Sequence, residues 1–223
     1  MVTKGGERIE FTLDRGKRSR ISLTVREGRL TVRVPMNFSA AQVRSFIEEN
    51  LEWVHSTLGA SEKRYGLPRR FEDGERIRLL GQELTVTAVM ADRYFPPFIE
   101  DSRLKVAVCE DSSREYMQRQ IQSFIYKLAL AEISDSMKTY SAKMGLYPNK
   151  VTVKDLTASW GRCSSNGNIS VNYKVVAYSK RHIDYVCIHE LSHLRYMDHS
   201  RQFWDLVSLY CPDWKAIRDS MRT

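Results

Sequence analysis

Four of the five histidines fall between residues 182 and 199. Within that window His189-Glu190-Leu191-Ser192-His193 forms an H-E-x-x-H motif. On an α-helix, at about 100° per residue, His189 and His193 lie roughly 40° apart and one turn above the other. Two imidazoles so placed reach a single metal ion. Glu190 lies roughly 100° from His189 and 60° from His193, beside such an ion and not on it. That is the position of a general base for a metal-bound water. Zinc held by three protein ligands keeps a fourth position for water, lowers the pKa of that water and polarises a carbonyl. The chemistry predicted is hydrolysis, with the peptide bond as the first choice of substrate.

His199 follows His193 by six residues. The three histidines have the H-E-x-x-H-x5-H spacing of metzincins, with Tyr196 where those proteins carry glycine. A straight helix would carry His199 to the wrong side, so the chain must turn back. Asp198 is placed to supply a left-handed residue for that turn. His199 is the first choice for third ligand, with Asp205 and Asp213 as rivals. Asp205 is also a candidate acceptor for a ligand imidazole N–H. His182, at the helix start, reads as a surface residue, and Phe203 and Trp204 read as packing. Trp160, Arg162 and Asn166 form a loop before the strand Ile169–Tyr173. That strand is a candidate sheet edge for pairing with an extended substrate, and equally an ordinary core strand. Arg162, Asn172 and Tyr173 are the candidate substrate-binding residues. Tyr173, Arg195, Tyr196 and Tyr210 are candidates to stabilise a developing oxyanion.

These residues need a framework. Ser179 caps the motif helix, which the pattern carries to about Met197, with Cys187, Leu191 and Leu194 on the side away from the histidines. Ser200 starts another helix, and Pro212 breaks it before a final short one. Upstream, Val151–Leu156 and Ile169–Tyr173 read as strands, the second after a tight loop at Ser164–Gly167. Ser112 and Glu115 make a capping box for a long amphipathic helix that Gly145 stops. Its apolar positions are Met117, Ile121, Phe124, Leu128, Met137, Tyr140 and Met144. The first hundred residues read mostly as strand. Ile21, Leu23 and Val25 alternate, Glu27-Gly28 turns the chain, and Leu30–Val34 returns until Pro35. Ser39 and Gln42 box the start of a helix carrying Val43, Phe46, Ile47, Leu51 and Val54. Arg76–Leu80, Leu84–Val89 and Leu104–Cys109 are further strands, with Met90–Asp101 as a connection around Pro96-Pro97. The fold class is α+β, with a β-rich part at 1–112 containing one helix, followed by 113–223 with a small sheet and the motif helix.

Composition narrows the field. The chain has 223 residues, 42% hydrophobic and 28% charged, which excludes a disordered chain, a collagen-like repeat and a disulfide scaffold. No apolar run approaches the roughly 18 residues of a membrane span, and the start, charged from Lys4, has no apolar signal core. Cys109, Cys163, Cys187 and Cys211 make no Cys-x-x-Cys pair and fit reduced thiols. A cytoplasmic protein is expected. The net charge of +8 and the basic run Arg15–Arg20 suit an anionic partner. They motivate two rival readings, a metal-dependent nucleotide phosphoanhydride hydrolase and a nucleic-acid-associated binding protein. No Walker-type loop, zinc finger, RRM or KH signature accompanies them.

Four segments in this order resemble the YgjP-like metallopeptidase family. They are Ser159-Trp-Gly-Arg-Cys-Ser-Ser165, Asn168-Ile-Ser-Val-Asn-Tyr173, Ile183 to His193, and Asp198-His-Ser-Arg-Gln-Phe-Trp204. The close similarity covers about residues 150 to 215. A looser one runs through Arg20, Val32-Arg-Val-Pro35 and Leu80-Gly81. SprT-like and WLM zinc proteases are more distantly similar. The resemblance implies a small zincin-type α+β unit, with His189, His193 and His199 as zinc ligands and Glu190 as the base. The family usually carries Asn before the third histidine, where this chain has Asp198.

Overall fold

Ser39 closes the reciprocal cap expected of it. Its hydroxyl accepts the Gln42 N–H at 3.2 Å, and the Gln42 amide oxygen accepts the Ser39 N–H at 2.8 Å. The helix it starts, α1 (Ala40–Glu49), turns Val43 and Ile47 inward. The computed structural model describes residues 2–4, 7–9, 11–26, 29–54, 67, 71–156 and 159–221. The expected turn at Glu27-Gly28 lies outside them. Among the described residues five strands precede α1: β1 (Val2–Lys4), β2 (Glu7–Ile9), β3 (Phe11–Gly16), β4 (Ser22–Arg26) and β5 (Arg29–Pro35). β5 is central, antiparallel to β4 and parallel to β3. Leu30, Val32 and Val34 alternate inward from it and share a core with Val43, Ile47 and Val54. The basic run is partly spent internally. Arg18 and Arg33 reach Asp14 at 3.1 and 3.4 Å, and Arg15 donates to the Met36 carbonyl at 3.1 Å.

The chain forms two compact units, Met1–Arg64 and Tyr65–Thr223. The sequence reading put its division at 112/113. The boundary falls earlier because the next sheet shares a core with the long helix that follows it. That sheet contains β6 (Arg76–Leu79), β7 (Gln82–Met90), β8 (Phe98–Glu100) and β9 (Arg103–Val108) in the order β6-β7-β9-β8. Ile77, Leu79, Leu84, Val86, Leu104 and Val106 pack with Met117, Ile121 and Ile125. β8 falls within the stretch read as a connection. It is a three-residue edge strand exposed at every position, too short to carry a period.

The long helix is α2 (Arg114–Met144), stopped by Gly145 at φ 65°. Its cap is Ser113 and not Ser112. The Ser113 hydroxyl accepts the Tyr116 N–H at 3.1 Å, while that of Ser112 accepts the Cys109 N–H at 2.8 Å. Its buried stripe runs through Met117, Ile121, Ile125, Ala129, Ile133 and Met137. Phe124, Leu128, Tyr140 and Met144, expected inside, are only half-buried at the margin of that stripe.

A small sheet follows, made of β10 (Lys150–Lys154), β11 (Gly161–Cys163) and β12 (Asn168–Asn172). β12 lies in the middle, parallel to β10 and antiparallel to β11. Of the two readings of Ile169–Tyr173, a free edge or an ordinary core strand, the edge is corrected and the core strand holds: the strand is hydrogen-bonded on both sides. The edges are β10 and β11, the latter three residues too short to announce themselves. Asn172, a candidate for substrate contact, is fully buried and internally engaged. Its amide nitrogen donates to the Leu156 and Ser159 carbonyls at 2.8 and 3.3 Å, and its oxygen accepts the Lys174 N–H at 3.1 Å. It holds the chain on either side of β11. Asn172→Ala would strand these partners in a dry interior, at an expected cost of about 2–4 kcal/mol in a denaturant titration. A loss under ~0.5 kcal/mol would show that the network is dispensable.

Tyr173–Ala177 is a 3-10 helix leading into the motif helix, α3 (Lys180–Ser192). The β6–β7 turn braces this approach. Leu80 donates its N–H to the Val176 carbonyl at 2.7 Å. The φ of Gly81 is 78°, and a Cβ there would stand 3.0–3.3 Å from Ser179. α3 is tied to α2 by Ser136, which donates to Asp184 at 2.6 Å, and by Lys180, which reaches Asp135 and Ser136 at 2.9 Å. Two helices complete the unit, α4 (Arg201–Tyr210) and α5 (Trp214–Ser220), with the break at Pro212 as expected. No described helix is long and apolar enough to cross a membrane.

Candidate metal centre

α3 is buried along most of its surface. Ile183, Tyr185, Val186, Cys187, Ile188 and Leu191 fix it in the core. It ends at Ser192, earlier than the expected Met197. The Leu194, Arg195 and Tyr196 N–H groups close a tight turn onto the Leu191 and Ser192 carbonyls. The chain then doubles back without a left-handed residue, since Asp198 is absent from the described positions with positive φ. Asp198 instead accepts the Ser200 N–H at 3.3 Å, a side-chain turn that serves the same end.

The result brings three imidazoles together. His189, His193 and His199 offer one nitrogen each, all within 4.8 Å of one another, a set that can hold one metal ion. The Nε2 atoms of His189 and His199 stand 3.2 Å apart. The Nδ1 of His193 is hydrogen-bonded to the Tyr196 carbonyl at 3.0 Å, which assigns its proton there and leaves Nε2 a lone pair. Burial and the neighbouring His193 and His199 drive the His189 imidazole down to about 3. Burial also lowers His193. Both rings are thus neutral near pH 7, the form that binds metal.

Glu190 is 5% exposed, and its Oε2 has no hydrogen-bond partner. Burial pushes its carboxyl up to about 8. The folded value lies above the ordinary 4.5, so the folded chain keeps a proton that the unfolded chain releases. The stability this represents is complete below pH 4.5 and is lost as pH rises through about 8. In protein stripped of metal by a chelator, Glu190→Gln is expected to be more stable than wild type at pH 9 by on the order of 2–4 kcal/mol. The difference should vanish near pH 4. Equal denaturation midpoints at pH 9 would place the carboxyl in a wetter or better-paired setting.

Phe203, read from sequence as packing alone, has a larger part. Its fully buried ring lies 4.9 Å from His189, 4.5 Å from His193 and 4.9 Å from His199, so one aromatic side chain braces all three imidazoles. Trp204 stacks on His199 at 5.6 Å and on Trp214 at 3.9 Å. No spacing rule separates such a brace from any other core aromatic.

Other candidates lie elsewhere. Asp205 is exposed and reaches Arg201 at 3.8 Å, and Asp213 pairs with Arg181 at 2.6 Å. The His182 ring is bonded to the Ser179 and Ser220 hydroxyls at 2.7 and 3.0 Å. The Tyr210 hydroxyl donates to the Lys143 carbonyl at 3.2 Å. Arg162 is exposed on β11, opposite Ser170. Tyr173 is half-buried with its ring 6.0 Å from that of Tyr126. Trp160 packs edge-on to Tyr178 at 5.1 Å.

Paired helical imidazoles, a third from the returning chain and a buried carboxylate between helix and sheet are the equipment of a metallopeptidase, and comparison with known proteins gives the same class. The chain belongs to the YgjP-like metallopeptidase domain family, whose model matches residues 19–223. It is a hydrolase, and its family implies a metal ion and a protein or peptide substrate. Among solved structures it is similar to the crystal structure of the metallopeptidase zymogen of Pyrococcus abyssi abylysin. The identity is 27% and the TM-score 0.37, over 40% of this chain and 90% of that one. No curated protein matches.

Proposed function

We propose that this chain is a zinc-dependent peptidase in which His189, His193 and His199 hold the ion and Glu190 takes the proton of the attacking water. The observation that carries this reading is the 3.2 Å separation of the His189 and His199 Nε2 atoms. Tetrahedral zinc with Zn–N of about 2.0–2.1 Å has N···N edges of about 3.3 Å. Zinc, when bound, supplies Lewis acidity toward a water and a peptide carbonyl.

Glu190 does the rest with its own chemistry. Its carboxylate is buried and short of partners, so it holds a proton more strongly than a solvated carboxylate. Beside a bound cation Glu190 would take the charged form, from which it would accept the water proton and then deliver it to the leaving amine. The Tyr196 carbonyl and the Phe203 ring keep the imidazoles oriented while this happens. An extended peptide is proposed to pair along β11, the edge of the small sheet that packs against the motif helix, past the exposed Arg162. Four free thiols fit a reducing cytoplasm as its place of work.

Metal analysis of the purified protein, paired with hydrolysis of a quenched fluorescent peptide library, tests the reading. One zinc per chain, with hydrolysis abolished by chelation and restored by zinc, is expected. A protein that carries no metal and whose melting temperature ignores added zinc would sink it.

A further inference from the structure

Gly161 opens β11, and its backbone lies against the Glu190 side chain. A Cβ at this position would stand 2.4 Å from Glu190 Oε1, 2.5 Å from Cγ and 2.6 Å from Cδ. These distances are far inside the ~3.5–4.0 Å of a relaxed carbon contact. The stem atom Cγ is among those met, so turning the carboxylate alone does not clear the space. Either the whole Glu190 side chain swings away or the strand lifts from the helix.

The backbone does not ask for glycine here. The described glycines with positive φ are Gly74, Gly81, Gly145 and Gly167, and Gly161 is not one of them. Its conformation is open to any L-residue, and what the position requires is the missing side chain. The neighbours are consistent with this packing. Arg162 is exposed, while Gly161 and Cys163 are half-buried on the side facing α3. Glu190 is sealed beneath them at 5% exposure.

We propose that Gly161 is a positioning residue: by lacking a side chain it leaves the lane in which the Glu190 carboxylate stands, and any larger residue displaces that carboxylate from the three imidazoles. The inference rests on Glu190 being the base.

The test is a cycle of full-length proteins: wild type, Gly161→Ala, Glu190→Ala and the double variant. Each is melted as purified and assayed for bound zinc. Gly161→Ala is expected to lower the melting temperature by about 4–8 °C when Glu190 is present, as overpacking does. In the Glu190→Ala background, where Cγ and the carboxylate are gone, the same change should cost about 1 °C or nothing. Equal shifts in both backgrounds would overturn the proposal. If Gly161→Ala does not fold, a folded double variant supports the proposal and an unfolded one overturns it. Casein is the activity probe. Gly161→Ala should keep its zinc and its KM and lose about 10²-fold in kcat, the scale of an ångström-sized misplacement. Wild-type kcat in Gly161→Ala, beside a crippled Glu190→Gln, overturns this inference alone. Wild-type kcat in Glu190→Gln overturns the base assignment instead. If wild type leaves casein intact, the melting cycle decides.

Discussion

Glu190→Gln is expected to lower peptide hydrolysis by about 10²–10⁴-fold while the protein keeps its metal, the range that general-base catalysis contributes. Glutamine has nearly the volume of glutamate and fills the same lane beside Gly161, so the packing between β11 and α3 survives. Its amide still accepts a hydrogen bond from a water but cannot hold that water's proton at neutral pH. The three imidazoles are untouched, and the Tyr196 carbonyl still fixes His193. The loss should therefore appear in kcat, with zinc content by mass spectrometry equal to wild type. Loss of zinc in the variant would make Glu190 a ligand or a structural support. Full activity with full zinc would make it a bystander, and the buried, unpartnered Oε2 would need another explanation.

What was legible from sequence was what depends on local spacing. His189 and His193 are one helical turn apart in any helix, and Ser39 and Gly145 mark helix ends through their own chemistry. The long-range features were less so. β8 and β11 are three residues each, shorter than any period can show, and without β11 Ile169–Tyr173 stayed open between an edge and a core strand. Ser112 and Ser113 are adjacent and identical in type, so choosing the cap needed the geometry of the turn at Cys109. Asn172 and Phe203 act through partners distant in the chain. A buried asparagine next to a site is indistinguishable, in sequence, from one that faces it. Gly161 left one signal, a glycine inside Trp-Gly-Arg with no turn to make, but the reason for it stands on another element altogether.

His199→Ala should weaken zinc binding by far more than Asp205→Ala, and hydrolysis should fall with the zinc. His199 lies on the returning chain, where Asp198 and Ser200 form a side-chain turn and Trp204 stacks on the ring, so its nitrogen is held opposite that of His189. Removing it leaves two helical imidazoles, which cannot close a tetrahedral site without recruiting solvent. Asp205 is exposed and paired with Arg201 one turn before it, and is bonded to none of the site's rings among the described contacts. Loss of an outer hydrogen-bond partner costs about 10- to 100-fold in affinity, and Asp205→Ala should cost less than that. His189→Ala should match His199→Ala in zinc lost but differ in stability. His189 is packed between Tyr185 and Phe203, so its truncation leaves a cavity worth on the order of 1–3 kcal/mol, whereas the exposed His199 leaves almost none. Competition with a chromogenic chelator gives the affinities, and a denaturant titration of the stripped proteins gives the stabilities. Equal zinc affinity in wild type and His199→Ala would remove the third ligand. A large loss in Asp205→Ala would move that role to the carboxylate.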